Sequence, residues 1–447
     1  MSSGISIFEI AILPIYLGLI YFFAFAIKSK NIKTKPSYEY FTKGLMFKIL
    51  GGIAVCLIYT YYYPGGDTVN FFKGCKAMNG LMYYNFEVFL DVLFGDLSWT
   101  NYANFTYDTG YPPTYMYKDP HTFAVIRYTT PIMMLCFNSF IITTVILACI
   151  SYIGIWKFYL MMTRIYPDLS KQLAIAILFM PSVVFWGSGL LKDTYTFSAA
   201  CWFTYCFYKI FIVKEKVFVN MIIILILSVL ILNIKPYILI ALLPGVFTWF
   251  VYSYLVKIKS TFLKFVLGPG MIFLGLLVSL FFISSLGDSF GKYSVENITE
   301  VAKVTQEDLS RSEQYGKGMY ELPPIDGSIG SFMRAAPIGI TAAWFRPFVF
   351  EASSAVMLVS AVENMIVLYL FVMLFVKIKI RQIFRIIFSQ PVVIFSLIFA
   401  IIFGFAVGIT TPNFGAMVRY KIPLVPFLMS SIFIIRYYYK VEIKAKS

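Results

Sequence analysis

The chain is 447 residues long, 60% apolar and only 13% charged, with a mean hydropathy of +0.79. A soluble globular chain carries about 25% charged residues, so this one has too little polar surface to cover itself in water. Five of its six cysteines (Cys56, Cys136, Cys149, Cys201, Cys206) lie inside apolar runs, Cys75 alone falls in a polar stretch, and His121 is the single histidine. That inventory argues against a disulfide framework, a zinc centre and a histidine-dependent triad.

The apolar runs are continuous and about 20 residues long, the length of a membrane-spanning helix rather than of an alternating barrel strand. The expected fold is all-α, a polytopic membrane helix bundle forming a single transmembrane domain over 1–447. About eleven spans are expected, over 5–27, 46–63, 137–162, 172–188, 194–213, 217–234, 237–256, 264–285, 352–376, 387–409 and 419–438. No basic residue precedes the first span, and Lys28 follows it, so that segment is read as a retained helix with its N-terminus outside. In that register most of the 37 Lys and Arg residues, from the Lys28–Lys48 group to Lys377, Lys379, Arg381, Arg385 and the C-terminal lysines, fall on the cytoplasmic side. The net charge of +15 is therefore an orientation signal, and it gives no ground for nucleic-acid binding.

Two connections are long, 64–136 and 286–351, and both are expected to be extracytoplasmic loops holding amphipathic or re-entrant helices. Residues 294–313 place Val295, Ile298, Val301 or Ala302 and Leu309 at helical spacing. The apolar stretch 328–350 is interrupted by Pro337 and Arg346 and reads as interfacial or re-entrant.

Four constellations could carry chemistry. Tyr61-Tyr-Tyr-Pro-Gly-Gly-Asp67-Thr ends the second span with a glycine turn that presents Asp67, either to a substrate or as the start of the next helix. Phe179-Met-Pro-Ser through Lys192-Asp193 is a proline-kinked hairpin whose Lys192 suits a phosphate with Asp193 holding it, or forms an ordinary exposed pair. Arg127, Lys235, Arg334, Arg346, Arg419 and Lys421 complete a set of seven outer cations with Lys192, suited to an anion or to snorkelling toward lipid phosphates. Glu351 and Glu363 are acids at or inside a span, suited equally to structural pairing and to catalysis. The tyrosines of 58–63 and 107–117 could stack on sugars, although interfacial aromatic belts are common.

The first span, the lysine-rich turn, the second span ending in Gly-Gly-Asp67-Thr and the long outer loop together resemble the Wzy-like bacterial exopolysaccharide and O-antigen polymerases, within the wider GT-C type membrane glycosyltransferases. Arg419-Tyr-Lys-Ile-Pro is a second, weaker point of likeness, while the doubled acid of many GT-C enzymes is missing, since Thr68 follows Asp67. The resemblance implies a multi-pass protein of the bacterial cytoplasmic membrane that elongates polyprenyl-diphosphate-linked glycans. It implies a catalytic role for Asp67, and diphosphate or glycan binding by Arg127, Lys192, Asp193, Lys235, Arg346, Arg419 and Lys421. No cofactor is expected and a divalent metal is left open; membrane lipids and envelope-biosynthesis proteins are the expected partners. Two other classes stay open: a transporter or flippase, for which Glu363 and the helix prolines are suited, and a non-catalytic partner in envelope assembly.

Overall fold

The computed structural model describes residues 5–63, 65–255, 298–311 and 318–444, with a few isolated positions between 270 and 281. The fold is all-helical and that of a polytopic membrane protein. Among the described residues no strand forms, and a lone antiparallel bridge joins Met319 to Asn413.

Among these residues seven helices are long and apolar enough to cross a membrane: Ile7–Asn31, Pro36–Tyr62, Phe140–Ile165, Val217–Ile234, Pro236–Ser253, Ala355–Lys377 and Pro391–Thr410. An eighth arises if Phe414–Tyr420 and Val425–Ile443, bent by 67°, are taken as one broken span. The segment 172–188 differs from the expected span because it splits into Ser170–Leu178 and Pro181–Trp186. Pro181 has no N–H to continue the first helix and disfavours helical geometry in the residue before it. Residues 194–213 form the polar helix Lys192–Phe207 and a π-turn, and the expected span 264–285 lies largely outside the described residues.

In chain order the helices are α1 (Ile7–Asn31), α2 (Phe41–Leu57), α3 (Asp67–Tyr84), α4 (Phe86–Phe94), α5 (Pro120–Leu135), α6 (Phe140–Ile165), α7 (Ser170–Leu178), α8 (Pro181–Trp186), α9 (Lys192–Phe207), α10 (Val217–Ile234) and α11 (Pro236–Leu255). They continue as α12 (Ile298–Leu309), α13 (Ile329–Phe345), α14 (Ala355–Lys377), α15 (Ile380–Ser389), α16 (Pro391–Thr410), α17 (Phe414–Tyr420) and α18 (Val425–Lys444). The chain divides into two compact units. Unit 1 joins residues up to 156 with 184–199 and 229–235, and unit 2 joins 157–183, 200–228 and the chain from 236 onward.

In unit 1 the connection 64–136 is helical for most of its length, through α3, α4 and α5. Its core is Phe71, Cys75, Met78, Leu81, Phe123 and Ile126, so Cys75 is a core residue of α3 rather than part of a polar loop. Burial pushes its thiol up to about 12, which makes it inert at neutral pH. The α2 helix meets residues 184–189 backbone to backbone: a Cβ on Gly51 would lie 2.5 Å from the Val184 carbonyl oxygen, and one on Gly189 2.6 Å from Val55. Lys48, 4% exposed, closes that contact by donating to the Gly187 carbonyl and, at 3.4 Å, to the Ser188 hydroxyl. The α1 helix buries only Glu9 and Ala24. Glu9 accepts from the Ser139 hydroxyl at 2.6 Å and the Phe140 amide at 2.7 Å, which fastens an otherwise lipid-facing helix.

Unit 2 is built on α16. The α13 and α16 helices cross at glycines, where a Cβ on Gly408 would lie 2.0 Å from the Gly339 carbonyl oxygen, and Trp344 donates its indole N–H to the Ala400 carbonyl at 3.0 Å. Residues 329–345 thus form one packed helix with Pro337 inside it. The amphipathic reading of 294–313 corresponds to α12, which buries Ala302, Gln306 and Leu309; positions 294–297 and 312–313 lie outside the described residues.

Candidate functional site

The polar residues of unit 1 collect where three helices begin or end. Pro120 occupies the first turn of α5, a position that suits a residue lacking an N–H, and Asp119 stands just before it. The Thr122 hydroxyl donates to the Asp119 carboxylate and accepts from the Lys192 ammonium at 2.5 Å. Lys192, the first residue of α9, also lies 3.5 Å from the same Asp119 oxygen. One residue on, Asp193 is fully buried and ion-paired with Lys235, which is 5% exposed just past the end of α10. The Asn233 carbonyl accepts from Nδ1–H of His121 at 3.1 Å, and its side-chain amide donates to the Tyr128 hydroxyl at 2.7 Å. Tyr195 and Thr129 are joined through their hydroxyls at 2.8 Å.

These bonds tie the starts of α5 and α9 to the end of α10, but the two lysines differ in environment. The Asp193–Lys235 pair is closed to solvent, and a buried charge needs such a partner because desolvation alone is very costly. The Lys192 and Asp119 side chains keep 20% and 25% of their surface open. Two 16-residue helices start here, and helix N-termini carry partial positive charge. An open ammonium at two helix starts is a favourable place for an anion.

Asp67, also in unit 1, is half-buried at the first position of α3. Gly66, with φ of +117°, precedes it, and a Cβ there would lie 2.7 Å from the Tyr59 ring, so both the conformation and the space require glycine. One turn along, Asn70 donates to the Tyr115 hydroxyl at 2.9 Å. Tyr61, Tyr62, Tyr107, Tyr111 and Tyr115 are all exposed. Arg127 is engaged by the backbone: its guanidinium donates to the Val92 carbonyl at 2.8 and 3.1 Å and to the Gly95 carbonyl at 2.6 Å. It satisfies the last carbonyls of α4, groups that a helix end leaves without partners.

Unit 2 holds the remaining candidates in a second network. Arg346 is ion-paired with Glu351 and packed against Tyr320, Phe414 and Phe348, its guanidinium 5.1, 5.0 and 5.9 Å from the ring centroids. Glu351 also accepts from the Phe348 amide at 2.8 Å. Lys421, 0% exposed, donates to the Arg346 carbonyl at 2.9 Å and to the Asn364 side-chain oxygen at 2.6 Å, while Asn364 donates to the Pro347 carbonyl at 3.1 Å. Glu363, one residue earlier in α14, accepts from the amide and hydroxyl of Ser182 at the start of α8. Arg419 is buried against the Tyr420 ring, and Arg334 is exposed.

The seven cations therefore divide between the units, with Arg127, Lys192 and Lys235 in unit 1 and Arg334, Arg346, Arg419 and Lys421 in unit 2. Sequence reasoning missed Asp119, Thr122 and Asn233 and weighed His121 only as a lone imidazole. Asp119-Pro120 was the available signal, since a proline after a short polar residue marks a helix start. Among the described residues no three His, Cys, Asp or Glu side chains converge as a metal site would require. Comparison with protein families, curated proteins and solved structures returns no match.

Proposed function

We propose that this multi-pass protein is a membrane glycosyltransferase or polysaccharide polymerase that acts on polyprenyl-diphosphate-linked glycans at the extracytoplasmic face of a bacterial cytoplasmic membrane. The observation that carries this reading is the half-open Lys192 at the starts of α5 and α9, with Thr122 and Asp119 around it. A diphosphate exchanges for Asp119 at the ammonium and adds charge-assisted bonds, which are about twice as strong as neutral ones. In the transfer, the bond between the anomeric carbon and the diphosphate oxygen breaks. The electron pair leaves with the diphosphate, where Lys192 stabilises the developing charge. Asp67 takes the proton of the acceptor hydroxyl as the new glycosidic bond forms. The exposed tyrosines near the Asp67 turn offer flat apolar faces for sugar rings. The resemblance supplies the substrate class and the role of Asp67.

The test is elongation of a polyprenyl-diphosphate oligosaccharide pool by the protein in nanodiscs, followed by mass spectrometry of chain length. Wild type lengthens the chains, and Asp67→Asn and Lys192→Ala do not. Unaltered elongation in both variants contradicts the assignment. One observation favours a second reading, transport of a lipid-linked or anionic substrate: Glu363, Asn364 and Lys421 form a buried polar network along α14, with Glu363 holding the start of a broken helix. Movement of the lipid across the bilayer without any new product selects that reading.

A further inference from the structure

The connection between α14 and α16 is a helix, α15, that neither the span pattern nor the proposed transferase chemistry uses. It buries Ile383 and Ile386 against unit 2. On another face Ile380, Phe384 and Phe388 stand exposed at 54%, 51% and 46%, spaced by four residues, so they form one stripe along the helix. Arg381 and Arg385 border that stripe along one side, Lys377 and Lys379 stand just before the helix, and all four are exposed. Arg385 is tied to Glu442 of α18; Lys377, Lys379 and Arg381 make no ion pair among the described residues. The helix is ten residues long, roughly 15 Å. It runs between two membrane-spanning helices that end at Lys377 and begin at Pro391. Tethered so closely at both ends, it cannot leave the boundary between hydrocarbon and water.

We propose that α15 is an interfacial lipid-binding helix that lays the Ile380–Phe384–Phe388 stripe into the acyl boundary and binds anionic phospholipid headgroups through Lys377, Lys379 and Arg381. An apolar stripe bordered by cations at headgroup depth fits such a surface, because apolar burial and attraction to anionic lipid act together there. The proposal does not depend on the transferase reading.

The experiment measures, by native mass spectrometry, the phospholipid retained by the full-length protein released from nanodiscs of equimolar phosphatidylcholine and phosphatidylglycerol. Wild type retains phosphatidylglycerol preferentially. Lys379→Gln/Arg381→Gln lowers that preference on the order of tenfold, as expected for two interfacial cations. Phe384→Ser/Phe388→Ser lowers total retained lipid, and thermal unfolding shows that both variants remain folded. Equal retention of the two lipids by wild type, or an unchanged preference in the charge variant, overturns the proposal. Absence of lipid preference combined with displaceable binding of an acidic peptide overturns it in favour of a protein partner.

Discussion

Unit 1 and unit 2 each contain a lysine that interacts with a residue of another helix, yet the two are built for opposite ends. Lys192 sits at a helix start with part of its side chain open and with Asp119 and Thr122 as exchangeable partners. Lys421 is sealed among a carbonyl oxygen, an amide oxygen and the nearby Glu363, with no surface left for a ligand. Both residues read from the sequence as outer lysines, so residue type does not distinguish a ligand-binding cation from a structural one. The protein atoms that surround the ammonium do.

The largest effect bearing on this contrast is expected at the closed pair of unit 1. Lys235→Ala leaves Asp193 buried without its counter-charge, a loss of about 3–5 kcal/mol, and thermal unfolding in detergent reports it. Replacing both partners by apolar residues, Asp193→Leu with Lys235→Met, restores much of the loss. If the double variant is as unstable as Lys235→Ala, the pair is not the source of the effect. A smaller effect is expected in unit 2. Lys421→Met leaves the Arg346 carbonyl and Asn364 oxygen without a donor, which costs about 1–3 kcal/mol, while lipid-diphosphate affinity stays as in wild type. A specific loss of affinity in that variant would erase the contrast.

The smallest effect concerns an exposed contact. Glu215 accepts from Arg164, at 2.5 and 2.9 Å, and from Lys209, and these bonds hold its carboxyl down to about 2. Because the folded value is depressed, its contribution is present above the ordinary glutamate range and is lost as pH falls toward about 2. The melting temperatures of wild type and Glu215→Gln should therefore differ slightly at pH 7 and converge as the solution is acidified. A difference that grows on acidification has the wrong sign for this pairing.

The sequence reveals the spanning helices well, because α1, α6, α10, α14 and α16 are unbroken apolar runs of the right length. It reveals α3 and α5 poorly as packed elements, and it reads α9 as part of a span although that helix is not among the candidate membrane-crossing helices. The stability of α3 and α5 comes from partners far along the chain, such as Ile126 beside Gly74, and their own residues are too polar to register as spans. The break before Pro181 was visible as a kink, but Glu363 as the group holding the next helix start was not, since the two are far apart in sequence. At the candidate site, Lys192 and Asp193 were legible as a helix opening. Their partners Asp119, Thr122 and Lys235 become evident only when α5, α9 and α10 are assembled.

Whether Lys192 is the cation built to meet the diphosphate is decided by comparing polyprenyl-diphosphate affinity in nanodiscs for wild type, Lys192→Met and Arg127→Met. Removing one charged bond to a phosphate costs roughly 1.5–3 kcal/mol, so Lys192→Met should bind at least tenfold more weakly with an unchanged melting temperature. Arg127→Met should lose stability and keep its affinity. Wild-type affinity in Lys192→Met would contradict the role assigned to this lysine.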